Sequence, residues 1–154
     1  MTVPASTGAF ANSPGLPRML LQAQLLSVPQ LESVQRDSAE EKLPFIDTLI
    51  RSGIIGADAL AQFCSKTFGY PLLDLAAVDP EALPQKIIDP RLMISHRVIV
   101  LSRRGGKLSL GMADPSQQQA IEQVKFQTGL AVEPVVVAYP QLTDMISRLS
   151  QSAE

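Results

Sequence analysis

The chain of 154 residues contains no tryptophan, one cysteine and one histidine, and only 5 % of it is aromatic. With Cys64 alone, an internal disulfide is excluded, which fits a reducing compartment. His96 has no second histidine near it, and Cys64 lies 32 residues away. A metal centre needs three or four converging ligands, and a nucleophilic pair needs its partner in reach, so neither residue supports a site. His96 is assigned a structural or surface role, and Cys64 a place on an apolar helix face beside Phe63 and Phe68. The chain also lacks any run of about 18 apolar residues that could cross a bilayer. It has no basic N-terminal segment leading into an apolar one, the mark of a secretory signal. Charge of one sign is missing too: 13 Lys and Arg face 15 Asp and Glu, for a net charge of −2. That balance gives no electrostatic reason to expect nucleic acid or direct insertion into an anionic membrane. A cytoplasmic protein is the expectation.

What the chain does have is a repeat. Leu20-Leu21-Gln22-Ala23-Gln24-Leu25-Leu26-Ser27-Val28-Pro29-Gln30-Leu31 aligns with Leu49-Ile50-Arg51-Ser52-Gly53-Ile54-Ile55-Gly56-Ala57-Asp58-Ala59-Leu60, 29 residues on. Large apolar positions coincide throughout, except that Val28 meets Ala57. Such a period marks a supersecondary unit that buries its apolar face against a neighbour. Ser27 followed by Gln30 forms a capping-box pattern, and Pro29 falls in the first turn, where its missing N–H costs nothing. Leu60, Phe63, Cys64 and Phe68 keep helical spacing up to Gly69. About four short helices, two per copy, are expected over 16–70, after a flexible tail at 1–15.

Pro71, Pro80, Pro84 and Pro90 punctuate the next stretch, so 71–90 is expected to be an irregular connector pinned by Leu72, Leu73 and Leu75. From 91 to 149 strands and helices are intermixed. Val98-Ile99-Val100-Leu101 predicts a buried strand, Arg103-Arg104-Gly105-Gly106-Lys107 a turn, and Leu108, Leu110 and Met112 a return strand. Asp114-Pro115 predicts the start of a helix that ends at Gly129. Val135-Val136-Val137 predicts a third strand, at a sheet edge because of Pro134. Leu142, Met145, Ile146 and Leu149 mark a last amphipathic helix, and 150–154 has linker character, as if leading to a further domain. The expected fold class is α+β: a helical-repeat lobe followed by a small α+β sandwich lobe.

Catalytic chemistry is not visible. Gly105-Gly106-Lys107 invites comparison with a phosphate-binding loop, but Leu101 stands where that pattern needs glycine and Leu108 where it needs Ser or Thr. The segment also joins two strands and opens no helix. Arg91, Arg97, Arg103, Arg104 and Lys107 form the most basic stretch; it reads as a solvated turn with gatekeeping charges, or as a docking surface for an acidic protein or phosphate. No aromatics are interleaved to stack bases, which weighs against nucleic acid. The carboxylates Glu32, Asp37, Glu40, Glu41, Asp47 and Asp58 lie among Arg36, Lys42 and Arg51 without forming an acid–base pair.

The repeated LL-x-x-x-LL-x-x-x-x-L pair, Phe68-Gly69-Tyr70-Pro71-Leu72-Leu73-Asp74-Leu75, His96 through Leu101, Gly106-Lys107-Leu108, Met112-Ala113-Asp114-Pro115 and Phe126-Gln127-Thr128-Gly129 together span residues 16–149. In their order and spacing they resemble the N-terminal region of PilB-type pilus-extension ATPases, relatives of the GspE and MshE secretion ATPases. The resemblance implies a full-length cytoplasmic homohexamer that powers type IV pilus assembly, and with it twitching motility, at the inner membrane. ATP and Mg would then be used by Walker motifs beyond residue 154, and this chain would be no enzyme itself and hold no cofactor.

In part of that family each copy of the repeat binds cyclic di-GMP through R-L-G-x-x-L-L-x-x-G-L-L. Here Gly15-Leu16-Pro17 and Pro44-Phe45-Ile46 stand where R-L-G belongs, Gln24 replaces a later glycine, and Gly53 keeps it. Arginine would supply charge and planar stacking, and glycine backbone access, so direct nucleotide binding is not expected. Leu16, Met19, Phe45 and Ile46 occupy this region instead, either as bundle core or as an apolar docking surface. The resemblance implies a partner for the second case: a PilZ-type adaptor, and through it a FimX-type cyclic di-GMP receptor. The alternatives are a sensor that binds cyclic di-GMP directly and a structural lobe packed between ATPase subunits.

Overall fold

The computed structural model describes residues 15–84 and 86–152. The fold is α+β, with seven α-helices, two 3-10 turns and one three-stranded sheet among the described residues. The chain divides into two units, one ending at Gly56 and the other starting at Ala57.

The first unit contains α1 (Leu16–Gln22), α2 (Val28–Glu41) and α3 (Phe45–Arg51). Sequence dictates where α2 starts. The Ser27 hydroxyl accepts from the Gln30 N–H at 3.3 Å, while the Gln30 side chain accepts from the Ser27 N–H at 3.0 Å. Both bonds satisfy donors that a helix start leaves open. Lys42 in the left-handed conformation (φ 57°) ends the helix, and Pro44 prevents its resumption. Leu31 and Val34 form the buried stripe of α2, which packs against α1 and α3. An ion pair between Asp47 and Arg51 at 2.8 Å spans one turn of α3.

The second unit opens with α4 (Ala57–Phe68), which buries Leu60, Ala61 and Cys64 and stops at Gly69 (φ 77°). All four expected helices are present, and α1 and α3 begin and end 29 residues apart. The division between units falls inside the second copy and not in the proline-rich stretch. Packing is the reason: α4 lies against β3 and α7 of the second unit.

Among the described residues of 71–89 are two 3-10 turns, Leu75–Ala77 and Pro80–Ala82, opened by Asp74 and Asp79, whose carboxylates accept from Ala76 and Glu81 N–H at 3.0 Å, and an isolated parallel bridge from Leu72 to Val136. Of the three leucines expected to pin this stretch, Leu75 is buried, Leu73 half-buried and Leu72 exposed. Helix α5 (Pro90–His96) corrects the sequence reading, which took Pro90 as a breaker. Asp89 caps this helix and Pro90 fits its first turn, where a proline is favoured.

The sheet order is β1 (Val98–Arg104), β2 (Lys107–Met112), β3 (Ala131–Val136). β1 and β2 form an antiparallel hairpin through Gly105 (φ 56°) and Gly106, as expected. β2 and β3 run parallel, joined by α6 (Gln118–Thr128). Val98, Val100, Leu108, Leu110 and Met112 pack with Ala120, Ile121 and Val124 of α6 in one core. Helix α7 (Tyr139–Ser152) packs on β1 and β2 with Leu142, Met145 and Ile146 buried. Gly111 makes room within the hairpin, since a Cβ there would stand 3.0 Å from Ile99 Cγ1.

Three further boundaries differ from expectation. α6 starts at Gln118 and not at Asp114, because the Asp114 carboxylate binds Ser116 N–H and Oγ–H and holds a turn ahead of the helix. β3 begins at Ala131, earlier than the valine run suggested. Its inward N–H groups bond β2 and its neighbourhood (Ala131 to Gly106 O, Val137 to Met112 O), whereas Val136 N–H turns outward to Pro71 O at 2.8 Å. Alternation places Pro134 outward as well, so its missing N–H breaks no ladder bond. Last, Ser150–Ser152 continue α7 instead of forming a linker. The expected tail lies outside the described residues apart from Gly15, as do Ala153 and Glu154.

Candidate docking face of the helical repeat

The first turns of α1 and α3 are backbone copies of each other. Met19 N–H donates to Gly15 O and Thr48 N–H to Pro44 O, both at 3.3 Å. Neither helix has a side-chain cap, because glycine and proline hold the N-cap positions. The turns that follow also repeat: Gln24 N–H donates to Leu21 O at 3.0 Å and Gly53 N–H to Ile50 O at 3.2 Å. Both donors adopt left-handed backbone, Gln24 at φ 62° and Gly53 at φ 79°. Glycine takes this conformation freely, whereas a side chain costs roughly 1–2 kcal/mol there. Gln24 thus keeps the glycine's geometry but loses its open backbone.

The four residues proposed from sequence do not share one environment. Leu16 is fully buried and Ile46 is 8 % exposed, so both belong to the core and cannot present a surface. Their apolar side chains follow the inward stripe set by Leu20 and Leu49. Met19 and Phe45 are half-buried and remain reachable.

Sequence reasoning missed Arg18. Its Nε is buried without a hydrogen-bond partner, three residues into the region where the family's arginine is lost. The repeat offset could have flagged it, because Asp47, at the matching position of α3, is paired with Arg51. Thr48, the counterpart of Met19, is 6 % exposed with an unbonded Oγ1.

The other candidates hold no chemistry together. No cluster of three potential metal ligands occurs among the described residues. His96 closes α5 and is half-buried. Cys64 is fully buried, and burial, assisted by the charge of Asp114, pushes its thiol up to about 12. It therefore stays protonated and unreactive near neutrality. Burial raises Asp114 as well, against the lowering effect of its bonds to Ser116 and Gln117. Arg91, Arg103, Arg104 and Lys107 are exposed; Arg97 is half-buried with its Nε unbonded. No helix among the described residues is long and apolar enough to cross a membrane.

Residues 68–154 match the MshEN domain family. The chain belongs to that family. This MshEN domain is 38 % identical over 139 residues to the type IV pilus assembly ATPase PilB of Pseudomonas aeruginosa, covering 90 % of the chain and 25 % of that relative. It is 29 % identical to the type II secretion system protein E of Xanthomonas campestris, over 84 % of the chain and 24 % of the relative. The chain thus spans about a quarter of the length of these relatives. Among solved structures, the N-terminal domain of XpsE superposes with a TM-score of 0.64 at 25 % identity, covering 84 % of this chain and 89 % of that one. MshE solved with cdg (cyclic di-GMP) gives 0.61 at 27 % identity, covering 85 % and 95 %.

Proposed function

We propose that this MshEN domain is the non-catalytic regulatory and docking portion of a type IV pilus extension ATPase. In this reading the rest of the polypeptide is a cytoplasmic, inner-membrane-associated hexameric motor using ATP and Mg. The α1–α3 face docks a PilZ-type adaptor, which links the motor to a FimX-type cyclic di-GMP receptor. The observation that carries it is a repeat whose backbone is preserved while its ligand chemistry is exchanged. The left-handed turns persist at Gln24 and Gly53, but Gly15 and Pro44 replace the arginines, and half-buried Met19 and Phe45 offer an apolar contact. An apolar face of this kind suits a protein better than an anionic nucleotide. Leu16 and Ile46 support the face from beneath.

A second reading, direct cyclic di-GMP binding, is favoured by half-buried Arg18 of α1, a guanidinium of the kind that supplies charge and planar stacking to a guanine ligand. Calorimetry separates the two. The docking reading expects no heat with cyclic di-GMP and binding of a purified PilZ-type adaptor. Met19→Ala and Phe45→Ala should each weaken the adaptor by about tenfold at an unchanged melting temperature. Tight nucleotide binding lost in Arg18→Ala, with both alanine variants indifferent to the adaptor, would replace the first reading with the second.

A further inference from the structure

The segment Pro71-Leu72-Leu73 runs parallel to the outer edge of β3, bridged at Leu72 to Val136. Leu73 N–H donates to Val136 O at 2.9 Å, and Pro71 O accepts from Val136 N–H at 2.8 Å. Both bonds lie on the β3 side, so alternation turns the N–H and C=O of Leu72 away from the sheet. Neither group has a partner among the described residues. The Leu72 side chain is 46 % exposed and forms one wall of a groove of about 380 Å³. Ala59, Gln62, Phe63 and Lys66, one stripe of α4, form the other wall. The two walls are braced: Ser65 Oγ–H donates to Tyr70 O at 2.6 Å, and the Val136 bonds hold the strand side. Lys66 is exposed and has no ion pair among the described residues.

We infer that this groove is a strand-addition site for an extended segment of a partner protein, one that carries an apolar residue and a carboxylate two positions away. The apolar residue lies opposite Leu72, exchanges both main-chain bonds with it and packs its side chain against Leu72 and Phe63. Side chains two apart share a strand face, so the carboxylate stays on the α4 side, where Lys66 is. The unpaired backbone is what selects this occupant. A helix face, an acyl chain or a flat aromatic covering Leu72 would strip water from its N–H and C=O and replace nothing, and an unmade bond costs more than a made one gains. An extended main chain offers a donor and an acceptor on one residue, as Leu72 does. Lys66 is the only charge lining the groove, which fits one carboxylate and is too little for a nucleic-acid backbone. Because the walls are already fixed, binding requires little ordering of the domain.

The test is a titration of the 154-residue chain with a capped Thr-Val-Thr-Leu-Thr-Glu-Thr peptide, followed by amide NMR and calorimetry. Expected are shifts over residues 59–66 and 72–73, with the Leu72 amide gaining protection against hydrogen exchange. N-methylation of the peptide leucine removes its donor, keeps its side chains and should weaken binding about tenfold. Leu72→Ser should weaken it about tenfold and Lys66→Glu about fivefold. Both side chains are exposed, so melting temperatures should stay unchanged. Absence of peptide binding, or equal binding after N-methylation, would overturn the inference. So would a dimer of the chain that Leu72→Ser abolishes and the peptide fails to displace, since the groove would then belong to a second copy. None of these readouts involves Met19 or Phe45, so this inference and the α1–α3 docking reading stand or fall separately.

Discussion

The two copies of the repeat share one backbone plan and reach it by different means. In the first copy, the turn after α1 places Gln24 in left-handed backbone and Ser27 caps α2 through a complete capping box. In the second, Gly53 takes the left-handed turn without strain, and Gly56 stands where the capping serine would be. Their second helices also diverge: α2 stays with the first unit, whereas α4 packs on the sheet and α7. The buried leucines are the common element. Leu20 and Leu49 are both fully buried, as are Leu31 and, nearly, Leu60. Shared local geometry thus follows from a shared apolar pattern, while caps and turn residues are exchangeable at modest cost.

The strongest way to break this comparison is to remove the common element. Leu20→Ala and Leu49→Ala should each cost about 2–5 kcal/mol by urea unfolding, the range for emptying a buried leucine site. A loss under about 1 kcal/mol in either would show that the copies do not depend on the same stripe.

A smaller effect should appear at the turns, with opposite signs in the two copies. Gly53→Ala places a Cβ in left-handed backbone with no atom within 4 Å to clash, so its cost is conformational, about 1 kcal/mol. Gln24→Gly relieves the same conformation and should stabilise by up to about 1 kcal/mol, less the entropy that glycine gains when unfolded. Thermal unfolding that moved both variants in the same direction would contradict the equivalence of the turns.

Caps should give the weakest signal. Ser27→Ala removes the capping box and should cost about 1 kcal/mol, whereas Gly56→Ser should gain only a few tenths. If the serine at 56 stabilised as much as the one at 27, the second copy would have the same cap geometry as the first.

Much of the fold could be derived from local rules, and the failures have local explanations. The capping box, the Gly105-Gly106 hairpin and the C-terminal stops at Gly69 and Gly129 all depend on residues within a few positions of each other. Asp89-Pro90 and Asp114-Pro115 are ambiguous in sequence because an aspartate–proline pair can open either a helix or a turn. At 89–90 the chain continued into α5, and at 114–115 the side chain closed onto Ser116 first. The candidate face was half legible. Its position follows from the repeat, but Leu16 and Ile46 cannot be told from Met19 and Phe45, since all four are apolar and each pair lies within the first turn of its helix. The exposure of Phe126 is not legible in the sequence, because a single aromatic on a helix reads the same whether buried or bare.

By itself, the amino-acid sequence determined the capping box that starts α2, the glycine turns and the Gly105-Gly106 hairpin. These are set by backbone dihedrals and hydrogen bonds that close over short distances. Tertiary structure alone decided which apolar side chains are covered, that α4 joins the sheet-containing unit, and that Phe126 is left bare. Those outcomes depend on packing between segments remote in the chain: whether an apolar group is removed from water is a property of its neighbours in space.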